Sequence, residues 1–72
     1  MRRFIRMPDG ELYEVWIEKV YGLSLKDIVC YLARTWDSGS IYTIGVGDTP
    51  EAAFKDAKPR LGQLHKRKQE GA

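Results

Sequence analysis

Ile41-Tyr42-Thr43-Ile44-Gly45-Val46-Gly47-Asp48-Thr49-Pro50-Glu51-Ala52-Ala53-Phe54 passes from strand-forming to helix-forming chemistry within a few residues. Its first half is dense in β-branched and aromatic side chains, which fit a pleated surface. Gly47 interrupts that run, and Asp48 or Thr49 can then cap the free amides of a following helix. Pro50 suits the first turn, where no amide donor is needed, and Glu51 complements the positive end of the helix dipole. From Ala52 to Lys58 most residues are good helix formers. Phe54, Ala57, Leu61 and Leu64 form an apolar stripe at helical spacing. A strand running into a C-terminal helix is predicted. Pro59 lies inside the pattern and predicts a kink or break.

Upstream, Arg2 to Met7 reads as a short strand that ends at Pro8-Asp9-Gly10. An Asp-Gly pair between apolar segments signals a hairpin, because glycine accepts positive φ without steric cost. The return segment, Leu12 to Tyr21, places Tyr13, Val15 and Ile17 on one face and Glu14 and Glu18 on the other, and strand is preferred over helix there. Gly22 breaks the run. From Ser24 to Trp36 two readings stay open. Leu25, Ile28, Val29, Leu32 and Trp36 fall at helical spacing behind a Ser24/Asp27 capping box. Ile28 to Thr35 also reads as a strand entering the turn cluster Asp37-Ser38-Gly39-Ser40 and pairing with Ile41 to Val46. The preferred architecture is a small α+β fold, an antiparallel sheet of two hairpins followed by a C-terminal helix. The alternative makes residues 25–36 helical, giving ββαβα.

The 72 residues fit one domain. Residues 1–64 are expected to form it, and residues 65–72 to be a basic, frayed tail. An apolar fraction of 43% with 31% charged residues suits a folded chain. Domains this short bury only about 60% of the unfolded surface, so a deep substrate cavity would consume much of the core. Trp16 and Trp36 are expected in that core. The single cysteine, Cys30, cannot form an internal disulfide and reads as a buried structural thiol among Ile28, Val29, Tyr31 and Leu32. Met1 to Pro8 lacks the apolar stretch of a signal peptide, and no run approaches membrane-spanning length, so cytoplasmic residence is expected.

No catalytic constellation is legible. His65 is the only histidine; it stands beside Lys66, Arg67 and Lys68 and reads as a solvated surface residue. One cysteine and one distant histidine do not make a metal motif, and Asp9, Glu11, Glu14 and Glu18 read as a solvated strand face. Gly45 to Pro50 lacks the lysine and the glycine spacing of a phosphate loop, so its glycines are read as letting the chain turn from strand into helix. No metal, cofactor or enzyme activity is expected.

A net charge of +2 conceals strong segregation. Arg2, Arg3 and Arg6 open the chain without an acid among them. Lys19, Lys26 and Arg34 are then outnumbered by Asp9, Glu11, Glu14, Glu18, Asp27, Asp37, Asp48 and Glu51. Lys55, Lys58, Arg60, Lys66, Arg67 and Lys68 follow with only Asp56 among them. These two basic groups are the candidate contacts for nucleic-acid phosphates or an acidic protein face.

Two resemblances bear on function. Asp37 to Ile44, followed by Gly47-Asp48-Thr49-Pro50-Glu51-Ala52-Ala53, resembles the hairpin-to-helix segment of HicB-like antitoxins over about a third of the chain. It departs from them in lacking a proline-rich loop before the helix. In overall plan, a compact domain with the basic segment Lys55 to Lys68, the chain resembles small phage-encoded transcription regulators that bind host RNA polymerase. In one such regulator a small folded domain docks on the polymerase while a helical tail approaches the RNA exit path. That likeness implies a non-enzymatic protein acting in a bacterial host cell, with RNA polymerase as partner and the basic tail near nucleic acid. A HicB-like antitoxin or small nucleic-acid-binding module is the alternative.

Overall fold

The computed structural model describes residues 1–22 and 28–71. Four strands, β1 (Arg2–Arg6), β2 (Leu12–Tyr21), β3 (Ile28–Asp37) and β4 (Ser40–Gly47), are followed by one helix, α1 (Pro50–Glu70). The sheet is an antiparallel meander in the order β1-β2-β3-β4. Residues 28–36 are strand, so the helical alternative is overturned there; the Ser24/Asp27 capping box and Leu25 fall outside the described residues.

Turn chemistry sets the β1–β2 and β3–β4 hairpins. Gly10 has φ 95°, and its amide donates to the Met7 carbonyl while the Met7 amide donates to that of Glu11. Ser38 and Gly39 have φ values of 52° and 85°, so the Asp37-Ser38-Gly39-Ser40 cluster closes as a two-residue loop with both central residues at positive φ. Asp37 pairs directly with Ser40.

Register gives the sheet two unlike faces. Arg3 and Ile5 stand opposite Val15 and Tyr13, and Val15 and Ile17 stand opposite Thr35 and Ala33. This is the face that α1 covers. Met7, Tyr13, Val15, Ala33 and Ile44 pack with Ala53, Phe54, Ala57 and Leu61 of the helix, and Leu64 lies partly buried against them. A bulge between Ala33 and Arg34 leaves Ile44 without a cross-strand partner; it joins the core beside buried Gly45. Thr35, fully buried, donates its hydroxyl to the Glu14 carbonyl at 2.8 Å.

Gly45 and Gly47 hold the helix close. A Cβ on Gly45 would overlap the Ala53 carbonyl oxygen and lie 2.7 Å from the Ala57 amide, and one on Gly47 would lie 2.6 Å from the Ala53 amide. Neither has positive φ. Their absent side chains admit the first turns of α1 onto β4, beyond the strand-to-helix turn expected of them. Thr49 caps the helix by accepting from the Ala52 amide at 3.1 Å, with Pro50 and Glu51 in the first turn.

The helix then runs continuously through Pro59 to Glu70, so Pro59 does not break it and residues 65–70 belong to it. An interior proline costs about 3 kcal/mol and an interior glycine about 1 relative to alanine. Pro59 and Gly62 are tolerated because the opposite stripe is fixed by packing, which outweighs local propensity. Among the described residues no helix is long and apolar enough to cross a membrane.

Gly45→Ala is expected to lower stability by about 1–3 kcal/mol, because the backbone of α1 must move away. Urea denaturation measures this, and a midpoint equal to that of the parent protein would contradict the close approach.

Candidate functional site

The predicted site residues do not converge. On α1, the outward stripe opposite Ala53, Ala57, Leu61 and Leu64 carries Lys55, Pro59, Gly62 and Lys66, since residues three, four and seven apart share a helix face. Lys58 flanks it on one side, Arg60 and Arg67 on the other, and all seven are exposed. Lys55, Lys58 and Arg67 form no ion pair among the described residues, whereas Arg60–Asp56 and Lys66–Glu70 are pairs at 4.0 Å. Such exposed pairs contribute little and yield readily to a partner.

The other four cations lie elsewhere. Arg3 sits with its guanidinium 4.3 Å from the Phe54 ring centroid and 3.6 Å from Glu51. Arg2 and Arg6 alternate with Arg3 and so belong to the sheet face away from α1, where Arg2 pairs with Glu14 at 2.8 Å. Lys68 bridges Glu11 at 2.5 Å and Asp37 at 3.2 Å. Those two carboxylates raise the Lys68 pKa above its ordinary value.

That open sheet face carries Phe4, Leu12, Trp16, Leu32, Trp36 and Ile41 by strand alternation. Trp36 is 60% exposed and Phe4 61%, and Trp16 is half-buried. Neither tryptophan belongs to the core, and Cys30, on the same face, is only partly buried. A shallow depression there is lined by Phe4, Leu12, Trp16 and Trp36 among others. Most of the charges on this face are paired with one another, Arg2 with Glu14 and Arg34 with Glu18 at 3.0 Å, while exposed Arg6 forms no ion pair among the described residues. The Trp16 indole N–H and the Arg34 guanidinium lower the Glu18 pKa below its usual value.

His65 is where sequence reasoning failed most. It is 7% exposed, facing the sheet one turn beyond Leu61. Its Nε2 lies 2.9 Å from Asp9 Oδ2, and its Nδ1 lies 3.0 Å from the Tyr13 hydroxyl and 3.1 Å from Glu11 Oε2. The Gln69 amide also donates to Asp9, at 2.6 Å. Asp9 and Glu11 thus sit at the hairpin end beneath the helix, while Glu14 and Glu18 occupy the open face; the four acids do not share one surface. The available signal was spacing, since His65 follows Phe54, Ala57, Leu61 and Leu64 on the apolar side of the helix.

Asp9, Glu11 and His65 offer ligand atoms within 4.8 Å of one another, the one grouping of this kind among the described residues. The arrangement suits a hydrogen-bonded latch better than a metal. Each ring nitrogen already faces protein partners on opposite sides, leaving no lone pair shared by both carboxylates. The Lys68 ammonium also supplies the positive charge at Glu11. Comparison with protein-family models, curated proteins and solved structures yields no match.

The latch has a defined pH response. The Glu11 backbone amide, with His65 beside it, holds the Asp9 carboxyl below its ordinary pKa. A depressed carboxylate stabilises the fold above its unfolded pKa and loses that contribution as pH falls through its folded value. Acid should therefore loosen the far end of α1. The loss should be shallower in Asp9→Asn, as followed by circular dichroism; an unchanged acid profile would contradict this. His65→Ala should cost about 1–3 kcal/mol by leaving the Tyr13 hydroxyl and two carboxylates without their partner. Denaturation at neutral pH checks it, and an unaltered midpoint would return His65 to the solvated role.

Proposed function

We propose that this chain is a non-enzymatic regulator that docks on a large nucleoprotein machine through its open sheet face and turns the basic outer face of α1 toward nucleic acid. The supporting observation is the separation of two surfaces. The sheet presents exposed aromatic and aliphatic side chains among charges that, Arg6 apart, are paired with one another, chemistry suited to a largely apolar protein surface. The helix presents cations that, among the described residues, are unpaired or weakly paired, chemistry suited to phosphates. Together with the likeness in plan to small phage regulators, the two separate surfaces make bacterial RNA polymerase the preferred partner.

An antitoxin or free nucleic-acid-binding module is the second reading. The strand-to-helix junction from Ile41 through Thr49 to Ala53 favours it, because that junction carries the HicB-like resemblance. It requires nucleic-acid binding without polymerase and gives the open sheet face no comparable role.

Purified bacterial RNA polymerase, alone and assembled on a nucleic-acid scaffold, should bind the labelled chain. Trp36→Glu should abolish docking to both forms. Replacing Lys66 and Arg67 by Gln should spare docking to the free enzyme and reduce the salt slope on the scaffolded one, by roughly 0.7–0.9 for each phosphate no longer neutralised. Absence of binding to either form, with retained binding to nucleic acid alone, would favour the second reading.

A further inference from the structure

Two helix-disfavouring residues stand side by side on the exposed, outward line of α1. Lys55, Pro59, Gly62 and Lys66 follow one another at intervals of four, three and four residues, so they form a single stripe pointing away from the sheet. The fold does not call for a glycine at position 62: a Cβ there would meet nothing within 4 Å. Gly45 and Gly47 differ, because the helix backbone occupies the space their side chains would need. Gly62 has helical conformation rather than the positive φ that favours glycine. Its missing side chain is open toward solvent.

We infer that Pro59 and Gly62 form a low-relief seat on which a phosphodiester backbone lies against the helix, held by Lys55 and Lys58 on one side and by Lys66 and Arg67 on the other. This rests on the proposed nucleic-acid role of the basic helix face and names the place of contact. Lys55 and Lys66 are separated by about 16 Å along the helix axis at 1.5 Å per residue, with the seat midway between them. A nucleic-acid strand carries its charge on its own backbone, so drawing that backbone close to the helix needs a surface without protruding side chains. An acidic polypeptide carries its charge on side chains, which reach lysines without such an approach. Pro59 and Gly62 therefore favour nucleic acid over an acidic protein as occupant.

The test uses the full chain with a short fluorescent oligonucleotide, single-stranded or duplex, and polyglutamate as the competing anion. Binding is followed by anisotropy at low and moderate salt. Gly62→Ala should raise the melting temperature, because alanine is the better helix former and its Cβ is unobstructed. Gly62→Gln should remain folded, and its affinity for the oligonucleotide should fall several-fold, since its side chain covers the seat. Lys66→Gln should weaken binding and lower the salt slope. Oligonucleotide binding by Gly62→Gln equal to that of the parent chain, with Lys66→Gln still impaired, would overturn the seat while leaving the basic face intact. No oligonucleotide binding by the parent chain would overturn both. Polyglutamate binding as tight as the oligonucleotide's would replace nucleic acid by an acidic polypeptide.

Discussion

The backbone of α1 lies so near β4 that a methyl group at Gly45 or Gly47 would overlap it, and the rest of the molecule follows from that proximity. The near end of the helix is fixed by those glycines and the Thr49 cap. Phe54, Ala57 and Leu61 then fill the space over β2 and β3, and the far end is held by His65 and Lys68 on Asp9, Glu11 and Asp37. With both ends held, the helix cannot rotate about its axis. Its outward stripe is therefore set by contacts made on the opposite side.

Much of the fold was legible because local chemistry and tertiary packing agree. Asp9-Gly10 marks a turn, Leu12 to Tyr21 alternates with a period of two, and Thr49-Pro50-Glu51 starts a helix. The failures share a physical cause. Pro59 breaks a helix judged by propensity alone, yet the stripe from Ala53 to Leu64 is anchored by packing that propensity does not register. His65 stands among cations in sequence, but the helical turn sends it inward while Lys66 and Arg67 point outward. Its carboxylate partners lie more than fifty residues away. Trp16 and Trp36 resemble core residues by type, but with a single helix the sheet has only one face to cover, and their register places them on the other. The basic residues of the candidate site were readable as charge; their division among three surfaces was not.

A core this small leaves the sheet edges and open face to other devices. The Asp56 carboxylate accepts from the Val46 amide at 2.9 Å, so a helix side chain satisfies a donor on the edge strand β4. At the opposite edge β1 is short and carries three arginines, features that discourage pairing with another chain. The open face keeps its aromatics exposed and pairs Arg2 with Glu14 and Arg34 with Glu18. Neutral apolar chemistry and cationic chemistry thus end up on opposite sides of one thin domain, which is what the proposed two-sided role requires.

The fixed direction of the basic face depends on α1 being one continuous element fastened at both ends. Native-state amide hydrogen exchange measures this directly, residue by residue. Amides from Leu61 to Lys68 should be protected at a level close to those of β2 and β3, because they open only when the sheet and helix separate. Protection that ends at Pro59, with the amides beyond it exchanging like free chain, would contradict the account: His65 would not be latched, and the outward face of the helix would have no fixed direction.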